Sequence, residues 1–269
     1  MNDLSPGEML ERTIRFWWVI AAAMILGGIA AWGFTLSHPP VYEATAVYNV
    51  SVDVEVLAGE RHLSPTQLPT DFNSLNVYLA PAADVFYQPE VRNRLVADAS
   101  AQGITLKYSD INAADFYQDR RGTRWLLSVR STDPVKAAKL ANLWVAATDA
   151  ALRQAQAHAA QVPILQAQSQ SIQKCFTEMD FAQANQCAGT SFATPSDLNA
   201  YLSGLDRDIG TEKQAGLDID AALQFVLVHP ADPPAQPVLY NKGLVLLAGC
   251  LIGLLLGILG VQWLPIPRK

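Results

Sequence analysis

Two pairs of aspartates, Asp206/Asp208 and Asp218/Asp220, are the nearest approach of this sequence to an acid–base site. Glycoside hydrolysis uses two carboxylates roughly 5–10 Å apart. Such a pair is assembled by the fold, so the spacing in the chain leaves that possibility open. We favour the alternative, in which these aspartates form the solvated face of a helix.

The histidines offer no better chemistry, because none has a second histidine or a cysteine at the spacing of a zinc site. They are His38, His62, His158 and His229. The sequence also lacks the G-x-S-x-G nucleophile elbow and the phosphate-binding GxxxxGK[ST] loop. We therefore predict that the protein is not an enzyme and holds no metal or cofactor.

A short basic cluster, Arg120, Arg121 and Arg124, is the third place where chemistry is conceivable. Guanidinium groups beside aromatic rings can bind an anionic sugar or a lipid headgroup. The rings here belong to Phe116, Tyr117 and Trp125. A surface turn whose aromatic neighbours pack into the core explains the same residues, and we favour it.

Two apolar blocks of 21 residues each, Phe16–Leu36 and Leu244–Leu264, contain no charged side chain. A helix needs about 20 apolar residues to cross a bilayer, so we predict transmembrane helices at 16–36 and 244–264. The first block has an alternative reading as a cleaved signal peptide. Its length and the Ser37-His38-Pro39-Pro40 sequence that follows argue against that reading.

The positive-inside tendency predicts cytoplasmic tails at 1–15 and 265–269. Arg12 and Arg15 precede the first span, and Arg268 and Lys269 end the chain. Residues 37–243 are then extracytoplasmic. They carry 15 Lys/Arg and 22 Asp/Glu, a net charge of −7, which argues against a nucleic-acid partner.

Periodicity predicts strands and short helices in residues 37–132 and long helices in residues 133–228. The predicted strands are 41–56, 104–108 and 123–131. The predicted helices are 71–84 (broken at Pro81), 90–101, a long one over 134–160, and a second long one from Thr194-Pro195-Ser196-Asp197 to about Val228. At 1.5 Å per residue, each arm of this helical pair would be roughly 50–60 Å long.

Cysteines and prolines mark the two ends of this predicted arm. A Cys175–Cys187 disulfide would pin the tip loop, 175–195, and closing such a loop stabilises by about 3 kcal/mol; two free buried thiols are the alternative. Cys250 lies inside the second span as a small packing residue. Pro230, Pro233, Pro234 and Pro237 predict a stiff extended connector at 229–243.

Small residues recur every fourth position in both spans. In the second they are Gly249, Gly253 and Gly257, and in the first Ala23, Gly27 and Ala31. Because lipid tails are as apolar as leucine, membrane helices associate through close packing of small residues. We predict that these stripes meet, within one protomer or between neighbours; small residues without a specific partner are the alternative.

The organisation resembles the chain-length determinant (Wzz-type) polysaccharide co-polymerases, in the form without a fused tyrosine kinase. The resemblance rests on IRFWWVI, PPVYEATA, the stretch WLLSVRSTDPVKAAKLANLWVAA and HPADPPAQP before a glycine-bearing span. Within the third segment it is carried by Asp133, Pro134, Ala137, Ala138, Ala141 and Asn142. The disulfide-pinned tip and the comparatively short arm depart from the family pattern.

The resemblance implies an α+β membrane protein in which two transmembrane helices flank an extracytoplasmic α/β domain with a long two-helix arm. It implies a homo-oligomer, as a closed ring in the bacterial inner membrane, that controls the chain length or export of a surface polysaccharide such as lipopolysaccharide or exopolysaccharide. Its partners would be the polymerase or export machinery, membrane lipid and the growing glycan. Alternatives are an adaptor for a separate tyrosine kinase or outer-membrane exporter, and a two-span extracytoplasmic ligand sensor.

Overall fold

The computed structural model describes residues 13–61, 72–178, 181 and 191–263. The chain divides into two compact units. The helix-pair unit takes in Met1–Ala44, Arg130–Ala137 and Pro233–Lys269, and the sheet unit takes in Thr45–Val129 and Ala138–Asp232. Cys187, half of the predicted disulfide, lies outside the described residues, as do residues 1–12 of the predicted N-terminal tail (1–15) and the predicted C-terminal tail at 265–269, so these remain predictions.

Two apolar helices form most of the helix-pair unit: α1 is Trp17–Ser37 and α7 is Lys242–Trp263. Both are long and apolar enough to cross a membrane. Each begins within two residues of the predicted boundary, because the absence of charge and the run of good helix formers define such a segment locally.

A four-stranded sheet in the order β2-β3-β1-β4 organises the other unit. The β2–β3 and β1–β4 pairs are antiparallel. The strands are β1 Tyr42–Val52, β2 Phe116–Arg121, β3 Arg124–Ser131 and β4 Leu223–His229. Further helices in the described part of the chain are α2 Val54–Arg61, α3 Phe72–Val85, α4 Pro89–Ala101, α5 Pro134–Glu178 and α6 Pro195–Ala215.

The core of the sheet unit is aromatic. Ala46, Tyr48 and Val50 alternate inward along β1, as the two-residue period of a half-buried strand requires. The ring of Phe86 lies 5.0 Å from that of Trp125 and 6.2 Å from that of Trp144. The Trp144 indole N–H donates to the Phe86 carbonyl at 3.0 Å, so this buried polar group is satisfied.

The second long helix was predicted to reach about Val228, and this is wrong. Helix α6 ends at Ala215, and Leu223–His229 is strand β4. Leu217 and Asp218 have φ of 52° and 56°, a left-handed conformation that reverses the chain after a helix. Phe225 then pairs with Val50 across the antiparallel β1–β4 ladder. Such pairing between distant segments outweighs the local helix propensity.

Other boundary predictions are also corrected. Strand β1 ends at Val52 because Asp53 accepts from the N–H groups of Glu55 and Val56 and caps α2. Residues 104–108 form no strand; a 3₁₀ turn occupies Tyr108–Asp110 instead. Pro81 does not break α3, and α5 continues past Pro163. Each proline removes only one backbone hydrogen bond from its helix. Tertiary packing supplies most of the stability of a helix in a protein, so both helices persist.

The paired part of α5 and α6 has its own small core. Ile172 of α5 packs with Phe192, Leu198 and Leu205. Thr194 begins α6 with a capping box, in which the Asp197 N–H donates to the Thr194 hydroxyl at 3.2 Å and the Thr194 N–H donates to the Asp197 carboxylate at 2.9 Å. Cys175 lies within the last turn of α5, so the helix extends further toward the predicted tip than expected.

Candidate functional site

The predicted small-residue stripes of α1 and α7 lie against each other inside one protomer. A Cβ added to Gly249 would lie 2.6 Å from the Gly27 carbonyl oxygen, and one added to Gly257 would lie 3.0 Å from the Ala23 Cβ. The same added Cβ at Gly249 would also meet the methyl group of Ala31, and one added to Gly253 would meet the carbonyl oxygen of Ala23. Because no side chain fits in this interface, the two backbones approach closely.

The outward faces of this helix pair are apolar all round. The exposed large side chains include Trp17, Trp18, Ile25, Leu26, Ile29 and Trp32 on α1, and Leu247, Leu251, Ile252, Leu255, Leu256 and Leu259 on α7. Helices that are apolar on every face and yet exposed are typical of a lipid environment. The pair is therefore suited to act as a membrane anchor.

An aromatic cluster joins the end of α1 to the start of α7. The rings of Phe34 and His38 are stacked at 4.1 Å, and the Tyr240 ring lies 5.3 Å from that of His38. Beside them Val41 N–H donates to the Leu239 carbonyl at 3.1 Å. The segment after the first helix and the segment before the second are thus held together, which the sequence did not indicate.

Two segments that carry the sequence resemblance meet in the helix-pair unit. Arg130 of β3 donates through Nε to the Glu43 carboxylate of β1 at 3.1 Å, and both side chains are about two-thirds or more covered. Three residues on, Asp133 caps α5 by accepting from the N–H groups of Val135 and Lys136 at 2.8 and 3.1 Å. Pro134 occupies the first helical position, where its missing N–H costs nothing.

In the sheet unit, Asn142 joins α5 to the start of the proline-rich connector. Its side-chain amide donates to the Ala231 carbonyl at 3.0 Å, and its amide oxygen accepts from the Ala231 N–H at 2.7 Å. Ala231 is buried, as is Ala141. Of the connector prolines, Pro230 and Pro233 are exposed and Pro234 and Pro237 are half-buried, outside any helix or strand.

Replacing Asn142 with alanine is expected to lower the free energy of unfolding by about 2 kcal/mol, because both backbone groups of buried Ala231 lose their partner. Urea unfolding of the full chain in detergent measures this change. Asn142→Asp keeps the acceptor and loses the donor, so its loss should be intermediate. Equal stability of the alanine variant and the wild type would contradict the assignment.

A buried tyrosine connects β1 to α5. The Tyr48 hydroxyl donates to Asp149 Oδ1 at 2.6 Å, and Arg153 Nε donates to Asp149 Oδ2 at 2.7 Å. Burial and the Asp149 carboxylate raise the pKa of Tyr48 above its ordinary value. The same carboxylate raises the pKa of Arg153. Tyr48 and Asp149 are 101 positions apart in the chain, so no local sequence pattern could have predicted their contact.

Tyr48→Phe is expected to remove about 2 kcal/mol of stability at neutral pH, because a charge-assisted hydrogen bond is lost. The raised pKa also has a pH signature. Its stabilisation is complete below the unfolded tyrosine pKa of about 10 and is lost as pH rises above it. Unfolding measured from pH 8 to 11 should therefore slope less steeply in the variant; parallel curves would contradict this.

The residues considered for chemistry in the sequence are placed at the surface or in turns. Asp206 and Asp208 are exposed on α6, and Asp220 accepts from the Ala222 N–H in a turn. Arg121 and Arg124 pair across the tight β2–β3 turn, where Gly122 has a φ of 69°. Among the described residues, no group of three His, Cys, Asp or Glu could hold a metal ion.

The aromatic residues beside that turn belong to the core. Phe116 and Trp125 are 2% and 1% exposed, so their faces are not available to a sugar. Arg120 lies over the Trp125 ring at 5.3 Å and donates to the Gly122 carbonyl at 3.2 Å. Burial lowers the pKa of Arg120. The basic cluster is thus built as a hairpin turn.

The chain is similar to proteins of known structure. No protein-family model matches the chain, and no curated protein matches it. A solved structure described as a full-length bacterial polysaccharide co-polymerase is similar to it, with a TM-score of 0.41 and 13% sequence identity. The match covers 97% of this chain and 97% of that chain.

Proposed function

We propose that this chain is an inner-membrane scaffold that self-associates and regulates the chain length or export of a surface polysaccharide. The observation that carries the proposal is the hydrogen-bonded junction of Asn142 with Ala231. It joins two of the sequence segments that resemble the chain-length determinant family. The Glu43–Arg130 ion pair also supports the proposal, because it joins two more of these segments, PPVYEATA and WLLSVRS.

The proposed orientation places residues 37–243 outside the cytoplasm. It rests on the lipid-suited faces of α1 and α7 and on the basic residues Arg12, Arg15, Arg268 and Lys269 that flank the spans. The Val41–Leu239 bridge ties the two anchors at one end. Each protomer is therefore held in the bilayer at two points and in one orientation.

The proposed mechanism is geometric. Several outer units arranged beside a separate polymerase would set when the growing glycan is released, with no bond made or broken by this chain. The helical arm formed by α5 and α6 is stiffened by the Ile172–Phe192–Leu198–Leu205 cluster and by the hydrogen bond between His158 Nδ1 and the Glu212 carboxylate at 2.7 Å. The disulfide-pinned tip remains part of the proposal.

The decisive experiment combines assembly and phenotype. Full-length protein in lipid nanodiscs should appear as closed multimers in electron micrographs. Deletion of the gene should broaden the length distribution of the cell's surface polysaccharide, and the wild-type gene should restore it. Monomers together with an unaltered polysaccharide would overturn the proposal, and an unaltered length with lost export would favour the exporter adaptor.

A further inference from the structure

A groove in the sheet unit exposes large apolar side chains to solvent. It lies between α3 and the turn after α6, has a volume of about 740 Å³, and includes Val77, Ala80, Pro81 and Leu217 in its lining. Val77 is 72% exposed and Leu217 is 37% exposed. Exposed apolar side chains that line one depression are typical of a contact site.

The groove continues toward α5. A second depression of about 360 Å³ shares Val85, Gln88, Gln214 and Leu217 with the first and reaches Ala155 on α5. The two depressions adjoin, and we call them together the Val77–Leu217 groove. Their combined extent suits several side chains of a partner better than a single small ion.

Leu217 faces this groove at an energetic cost. Leu217 and Asp218 have φ of 52° and 56°, a left-handed conformation that costs a residue other than glycine roughly 1–2 kcal/mol. Glycine would adopt the same conformation without that cost. Strained residues concentrate at binding sites and switches, so an exposed leucine held in this way favours a role in contact.

The groove carries a surplus of negative charge. The titratable residues of its lining are Asp84, Glu90, His158, Lys213 and Asp218. The ion pairs of the described residues include none of the three carboxylates among them. His158 is already bonded to a further carboxylate, that of Glu212, at 2.7 Å. Lys213 is then the single lysine against three carboxylates, and such a surface attracts a cationic partner.

The walls of the groove indicate the backbone conformation of that partner. Most of the lining belongs to α3, α5 and α6, and the backbone groups within a helix are bonded to each other. The groove therefore offers no backbone ladder to an extended strand. A helix satisfies its own backbone groups and can place side chains at positions i, i+3, i+4 and i+7 into an apolar groove.

We infer that the Val77–Leu217 groove binds a cationic amphipathic helix of a partner protein. The apolar side chains of that helix contact Val77 and Leu217, and its lysines or arginines face Asp84, Glu90 and Asp218. Complementary charge speeds the encounter and selects the partner, while apolar burial holds it in place. This contact goes beyond the polysaccharide role and does not depend on it.

Site-specific crosslinking to a synthetic helix tests the inference. The full chain, carrying Val77→Cys in a Cys250→Ser background, is studied in a neutral detergent. The probe is a peptide of about 18 residues, roughly 27 Å as a helix, with leucines on one face, lysines on the other and one activated cysteine. We expect its disulfide with Val77→Cys to form at least tenfold faster than with Ile164→Cys, an exposed position on α5 outside the groove. Each rate is divided by that of a small neutral thiol reagent at the same position.

Two matched peptides separate charge from apolar contact. One has glutamate in place of every lysine, and the other has serine in place of every leucine. Both should react with Val77→Cys at least tenfold more slowly than the first probe. Asp84→Lys together with Glu90→Lys, both exposed positions, should slow the lysine–leucine peptide at least tenfold and speed the glutamate–leucine peptide, while the circular dichroism spectrum stays that of the wild type.

Three results would overturn the inference. Equal rates for the lysine and glutamate peptides would mean that the charge of the groove selects nothing. Equal rates for the leucine and serine peptides would mean that its apolar lining makes no contact. Rapid disulfide-linked dimers of the Val77→Cys chain without any peptide would mean that a second copy occupies the groove. None of these results alters the proposed polysaccharide role, which is tested by the length distribution in cells.

Discussion

Replacing Gly253 with leucine is expected to separate α1 from α7. A Cβ at this position would lie 2.9 Å from the Met24 Cα and would contact the Ala23 carbonyl oxygen. Both obstacles are backbone atoms, so no rotamer change can relieve them, and overpacking of this kind costs about 1–3 kcal/mol or more. Because helix association in lipid relies on close packing, we expect this substitution to have the largest effect on the anchor.

The native thiol of Cys250 provides the measurement. A Cβ added to Gly28 would lie 3.1 Å from Cys250 Sγ, which suits a disulfide, so Gly28→Cys should crosslink to Cys250 on mild oxidation. Crosslinking is measured as the loss of thiol labelling by a maleimide. Adding Gly253→Leu should reduce the crosslinked fraction at least tenfold.

The matched control is Gly260→Leu in the same helix, where an added Cβ meets nothing within 4 Å. It should leave the Gly28→Cys crosslink unchanged. If Gly253→Leu and Gly260→Leu crosslink equally well, α1 and α7 do not pack through the glycine face.

Replacing Trp144 with alanine is expected to destabilise the sheet unit by about 3–5 kcal/mol. Trp144 is fully buried, and its ring packs against those of Phe86, Tyr87 and Phe116. Its indole N–H is also the donor to the Phe86 carbonyl. A loss of this size is a large part of the free energy of unfolding of a typical domain, which is about 5–15 kcal/mol.

Urea unfolding of the full chain in detergent, followed by near-ultraviolet circular dichroism, measures this loss. Trp144→Phe retains an aromatic ring and loses the hydrogen bond, so its destabilisation should be about half that of the alanine variant. A midpoint for Trp144→Ala within error of the wild type would mean that this aromatic core does not hold the unit together.

The sequence by itself determined the elements whose causes are local. The limits of α1 and α7 follow from uninterrupted apolar residues, and the start of α6 follows from Thr194, Pro195 and Asp197, whose atoms lie within one turn of each other. The spacing of small residues also predicted the face that α7 presents to α1, because a four-residue period places Gly249, Gly253 and Gly257 in one line.

The tertiary structure decided the rest, because its causes are contacts between residues far apart in the chain. LQFVLVH is a strand because Phe225 lies opposite Val50, and α5 continues past Pro163 because packing, rather than local propensity, supports a helix of that length. Asp149 meets Tyr48, and Asn142 meets Ala231, only when β1, α5 and the connector are brought together. The sequence also left open whether the glycine stripes pair within one copy or between copies. The spacing of residues along one helix does not show which chain provides the partner helix.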